Sequence, residues 1–94
     1  MHAVIRSYSG NGAAALFDIL EQRKDEVHKM MQAIPGFVSY SLIRTGDGGS
    51  TVTICDDKAG TDESLRRARE WVDGNVAQVS APQISEGPVI LHVG

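Results

Sequence analysis

A single cysteine, Cys55, occurs in the 94 residues. That excludes an intrachain disulfide and a cysteine-type zinc site. Basic charge is not in excess either: nine Lys and Arg against twelve Asp and Glu leave a net charge of −3. No positive field is therefore present to hold a nucleic-acid backbone. The one basic cluster, Arg66, Arg67 and Arg69, is offset by Asp62, Glu63, Glu70 and Asp73. No apolar run approaches the roughly 18 residues of a membrane span. The first residues lack the basic start and apolar stretch of a signal peptide, so a soluble cytoplasmic protein is expected, with neither nucleic acid nor membrane as partner. The three histidines, His2, His28 and His92, show no His-x-x-x-His or carboxylate spacing, and no metal site is expected. Hydrophobic residues make up 41%, a little low for a globular chain. The length suits one domain, residues 1–94, with a thin core that gains from burying one more face by association.

What is present is a strong hairpin signal. Phe37 to Arg44 places Val38, Tyr40 and Leu42 at period two, and Ser50 to Cys55 alternates Thr51, Thr53 and Cys55 against Val52 and Ile54. Between them, Thr45-Gly46-Asp47-Gly48-Gly49 supplies residues that tolerate positive φ. The same turn explains GDGG without a phosphate loop.

Met1 to Tyr8 reads as a first strand, with His2, Val4, Arg6 and Tyr8 on one face. From Ala13 to Ala33 the stripe Ala13, Phe17, Leu20, Val27, Met31 and Ile34 predicts one amphipathic helix, interrupted only by Lys24 and begun near Asn11 or Gly12. Pro35-Gly36 ends it. After a loop over residues 56–60, Thr61 serves as N-cap of a second helix with the stripe Leu65, Ala68, Val72 and Val76, and Trp71 beside it. Gln83 to Val93 reads as a last strand, interrupted at Gly87-Pro88, which points to an edge or a bulge. The order β-α-β-β-α-β gives an α+β, ferredoxin-like sandwich, with an antiparallel sheet, two helices on one face and the first and third strands central. The other sheet face, part apolar and part small polar, suits packing against a second copy. His2 and His92 fall on the first and last strands, which are read as non-adjacent.

The first strand, the helix running into IPGFVSYSLIR, the hairpin and DDKAGTDESLRRAREWV together resemble the antibiotic biosynthesis monooxygenase-like proteins over nearly the whole chain. The resemblance implies a dimeric α/β barrel, a homodimer with facing sheets and a pocket between each sheet and its helices. It also implies a cofactor-free monooxygenase acting on a small aromatic or lipophilic molecule. Oxygenases of this kind often carry a histidine in or after the second helix; Trp71 to Ser80 has none, and Arg69, Trp71 and Asn75 stand nearest. Haem-degrading relatives use a first-strand Asn, a Trp and a helical His; here Trp71 is present, but the strand offers Arg6, Ser7 and Tyr8. No cofactor is implied.

The candidate ligand-binding residues are Arg6, Tyr40, Trp71, Asn75 and His92. Tyr40, Trp71 and Arg6 would orient a ligand, with His92 or Asn75 as polar partners. Each has a plainer reading: Trp71 as a core anchor, and Tyr40 as a buried ring whose hydroxyl needs one partner. Arg6 is the charge hardest to explain on a half-buried strand, because a buried guanidinium needs a partner. Cys55 reads as an inert buried filler. The rival to catalysis is a non-enzymatic homodimer, a binding or structural module. A ligand-sized space around Trp71 and Tyr40 favours the first reading and solid packing the second.

Overall fold

Alternation and helical spacing are realised in a computed structural model that describes residues 1–94. The elements run β1 (His2–Tyr8), α1 (Ala13–Gln22), α2 (Lys24–Gln32), β2 (Phe37–Thr45), β3 (Gly48–Cys55), α3 (Lys58–Asn75) and β4 (Gln83–Pro88). The strands form one antiparallel sheet in the order β2-β3-β1-β4, with the first and third strands central as expected. The helices cover one face. The hairpin closes on a two-residue loop, since Thr45 pairs with Gly48, and Gly46 takes a φ of +54°.

The core lies between the sheet and the helices. Leu16, Phe17 and Leu20 of α1, Val27 and Met31 of α2, Ile34, and Ala68 and Val72 of α3 are buried together with Tyr8 and Cys55. Of the expected stripe residues, Leu65 and Val76 are only half-buried. Cys55 is fully buried, and desolvation pushes its thiol pKa up, with Asp56 and Asp57 adding to the rise. It is a packed, protonated thiol at neutral pH.

Five local expectations are corrected. The single long helix is two, broken at Arg23 (φ −116°, ψ 28°). A straight helix would drive Lys24 into the stripe between Leu20 and Val27; the break leaves its ammonium exposed. α3 begins earlier than Thr61. Asp57 is its N-cap, its carboxylate accepting from Gly60 N–H at 3.1 Å, and Thr61 is buried one turn on. Gly60 belongs to the helix because its backbone passes directly over Cys55; a Cβ there would stand 2.7 Å from Cys55 Cβ. The last strand stops at Pro88 and residues 89–94 have no regular structure. It also pairs directly with β1, so the first and last strands are neighbours. Finally, a register shift between Phe37 and Ser39 separates Val38, 37% exposed, from Tyr40 and Leu42.

The outer sheet face carries the cross-strand pairs Ile5–Val52 and Ala3–Ile54, with Ile43 nearby. Ile5 and Ile43 are 41% and 45% exposed. No helix is long and apolar enough to cross a membrane.

Candidate functional site

The site begins with the period of β1. Val4 and Tyr8 commit one face of the strand to the core, so the residue between them goes inside as well. That residue is Arg6, only 4% exposed. Its neighbours in the sheet are Thr51 on β3 and Ile84 on β4. Arg6 Nη1 donates to Tyr8 Oη at 2.9 Å and Nη2 to Tyr40 Oη at 3.4 Å. Its guanidinium carbon lies 5.8 Å from the Tyr8 ring centroid. None of the chain's ion pairs includes Arg6. Its Nε has no acceptor.

Three further buried polar atoms are unpartnered: Thr51 Oγ1, Thr53 Oγ1 and Trp71 Nε1. Thr51 Oγ1 approaches the Tyr40 hydroxyl without meeting hydrogen-bond geometry. Burial raises the Tyr40 pKa above that of an ordinary phenol, and the charge and hydrogen bond of Arg6 oppose the rise only in part. Tyr40 therefore stays a neutral hydroxyl at physiological pH.

These groups surround three spaces. Arg6, Tyr8, Tyr40, Thr51 and Trp71 share the wall of an inner void of about 10 Å³, room for about one water. On one side a cleft of about 300 Å³ opens between α3 and the β1–β4 edge. Arg6 and Tyr8 form its floor; Leu65, Val72, Pro82 and Ile84 give it apolar walls; Arg69 and Asp73 stand at its rim. Its outer wall, the segment 79–82, is tied down where Ser80 N–H donates to the Asn11 carbonyl at 2.9 Å. On the other side a cleft of about 430 Å³ lies between α2 and β2, with Tyr40, Leu42 and Phe37 lining it and Lys24 and His28 also on its border. The Arg6–Tyr40 hydrogen bond spans the partition between the two clefts.

Of the residues singled out in the sequence, the fold brings Arg6, Tyr40 and Trp71 to one void. It does not bring Asn75 or His92 there. Asn75 Nδ2 donates to the Trp71 carbonyl at 2.8 Å while its Oδ1 accepts from Arg23 Nη1, tying the end of α3 to the helix break. The Arg23 guanidinium also stacks 5.5 Å from the Trp71 ring centroid. His92 lies in the exposed tail beyond β4. Two polar residues of the site were not singled out. Tyr8 was on the Arg6 face by simple alternation, a usable signal. Thr51 was not, because alternation on β3 separates the threonines from Val52 and Ile54 without saying which set faces the helices. No group of three His, Cys, Asp or Glu side chains converges anywhere in the chain.

The sheet order and single helix layer define a ferredoxin-like α+β domain. Sequence comparison finds no matching family model and no curated relative. Comparison of structures places the chain more narrowly. It matches the haem degrader MhuD of Mycobacterium tuberculosis, solved with two hemes in its active site, at 21% identity and a TM-score of 0.68, over 100% of both chains. It matches SnoaB, a cofactor-independent oxygenase of Streptomyces nogalater, at 15% identity and a TM-score of 0.67, over 98% of this chain and 95% of that one. A Nitrosomonas europaea protein of unknown function matches at 17% identity and a TM-score of 0.68, over 98% and 90%. The chain thus has the fold of the antibiotic biosynthesis monooxygenase-like proteins.

Proposed function

We propose that this protein binds a small, largely apolar aromatic molecule in the cleft between α3 and the β1–β4 edge. The observation that carries the reading is the cleft itself: about 300 Å³, with apolar walls and a floor on which a buried guanidinium and a phenol are held together. A concave apolar space with a few convergent polar groups is the usual form of a small-molecule site. The neighbours in fold support it in kind, since MhuD holds hemes and a Streptomyces coelicolor monooxygenase was solved with nanaomycin D. The inner void among Arg6, Tyr40 and Trp71 is too small for such a molecule; Arg6 alone of the three reaches the cleft, and Tyr40 and Trp71 stand behind it.

The working unit is a homodimer. The outer sheet face, with Ile5, Ile43 and Val52 partly in water, is covered by the same face of a second copy. Ile90, Leu91 and Val93, at 98%, 79% and 82% exposure, extend from the end of β4 and supply further apolar surface.

Cofactor-free oxygenation is the second reading, favoured by the likeness to SnoaB. It requires a deprotonated substrate. The floor of the cleft offers no carboxylate or imidazole as base, its one carboxylate, Asp73, stands at the rim, and Tyr40 is held neutral. Binding is therefore the stronger reading. Native mass spectrometry of the protein purified from its own host tests both parts. A dimer carrying an aromatic mass supports the proposal and selects the compound for oxygen-consumption assays. A monomer that retains nothing, and binds no compound of an aromatic panel, overturns it.

A further inference from the structure

The Arg6 guanidinium carries a full positive charge into the interior with only two phenol hydroxyls as partners. Neither neutralises it, and the nearest rim charges of the cleft are one of each sign, Arg69 and Asp73. Burying a cation without a counter-charge is costly, and proteins ordinarily supply a carboxylate beside it. Here the surrounding groups compound the imbalance. Arg Nε and Trp71 Nε1 can only donate, and both are unpartnered. Thr51 Oγ1, also free, can donate in addition to accepting. The interior beneath the cleft thus sets a positive charge and unpaired N–H donors among neutral hydroxyls, with no anionic acceptor.

From this we infer that the ligand of the cleft is an aromatic oxyanion, whose charged oxygens are read by Arg6 while its ring lies against Leu65, Val72 and Ile84. The inference rests on the binding reading above and narrows it to a chemical class. An oxyanion supplies the anionic acceptor that the site lacks. Charge-assisted hydrogen bonds in a desolvated setting are the strong ones, and the guanidinium fork suits them. An uncharged aromatic of the same shape gains the apolar contact but leaves the cation unpaired.

The test is calorimetric titration of the protein with sodium 2-naphthoate and with 2-naphthamide, its neutral isostere. The expected result is that the carboxylate binds roughly tenfold or more tightly than the amide, the scale of a charge-assisted hydrogen bond. The Arg6→Met variant should abolish that preference. Arg69→Gln, which removes only the rim cation, should change the preference by less than about threefold. Equal binding of both compounds to the wild type overturns the oxyanion inference and leaves the cleft reading standing. Binding of neither overturns both. Loss of the preference in Arg69→Gln but not in Arg6→Met moves the recognition to the rim and overturns the assignment to Arg6. The wild-type ratio alone decides the class of ligand even if Arg6→Met does not fold.

Discussion

Replacing Arg6 with methionine should make the protein more stable. The side chains have similar reach, and methionine fits irregular apolar space well. Arg6 is 4% exposed and lacks a counter-charge, so its burial carries a penalty of several kcal/mol for a desolvated ion. Its favourable contacts are two hydrogen bonds to phenols, at 2.9 and 3.4 Å, and a ring contact with Tyr8. Deleting it leaves the buried Tyr8 hydroxyl without a donor, a cost of about 1–3 kcal/mol. Tyr40 is only half-buried and borders the cleft between α2 and β2, so its hydroxyl can turn towards water. The balance favours methionine by about 1 kcal/mol, a rise in Tm of about 4–8 °C for a chain of this size. Calorimetric melts at equal protomer concentration measure it, since a dimer's Tm depends on concentration. A second signature accompanies the first. Without the opposing charge of Arg6, the Tyr40 phenol, already raised by burial, should titrate at still higher pH in ultraviolet difference spectra. A variant that melts about 8 °C or more below the wild type refutes the reasoning, for it would show that Arg6 holds the fold together rather than standing ready for a ligand.

Ile5→Lys places an ammonium at the centre of the outer sheet face and should convert the proposed homodimer to monomer in light scattering; an unchanged dimer mass would show that another surface makes the contact. Gly60→Ala sets a Cβ 2.7 Å from Cys55 Cβ and should destabilise the fold by about 1–3 kcal/mol in urea titration, through overpacking between α3 and β3. Glu63 is held by hydrogen bonds from Arg66 and then Arg67, which lower its carboxyl pKa to about 2. Because the folded pKa is depressed, the contribution is present above the unfolded value and disappears as pH falls from about 4.5 to about 2. The pair is exposed, so the effect is small and screened by salt: Glu63→Gln should flatten the low-pH part of the stability curve at low ionic strength and leave neutral stability nearly unchanged.

Much of the fold was legible because it rests on short-range signals. The hairpin needed only two alternating runs and Gly46 in its turn, and the sheet order followed from crossover handedness. What was missed depended on partners distant in the chain. Nothing local shows that Arg23 will stack on Trp71 and bond Asn75 fifty residues away, contacts that hold the helix break in place. Nothing local shows that Gly60 must slide over Cys55, which lets α3 begin at Lys58 under the cap of Asp57. Val89 to Val93 has strand-like composition, yet the partner β1 ends at His2, opposite Pro88, and the chain beyond runs out of ladder. His92 belongs to that stretch and does not line the void of Arg6, Tyr40 and Trp71.

The deeper ambiguity concerned which face of each strand turns inward, and it is tied to the site itself. On β3 the more apolar set, Val52 and Ile54, points away from the helices, while Thr51, Thr53 and Cys55 point towards them. On β1 Ile5 faces out and Arg6 faces in. A monomer selected only for its own core would assign these faces the other way round, since burying Ile5 and Val52 is favourable and burying Arg6 is not. Two demands reconcile the pattern. The proposed second copy on the outer face would give Ile5, Val52 and Ile43 the burial their own helices do not provide, and the proposed ligand under α3 would give Arg6 the charge its own chain does not provide. The two proposals therefore stand on the same inversion of the sheet. If the oxyanion of the ligand completes the interior, its binding at equal concentration should raise the Tm of the wild type more than that of Arg6→Met, while the protein's solution mass stays constant in both.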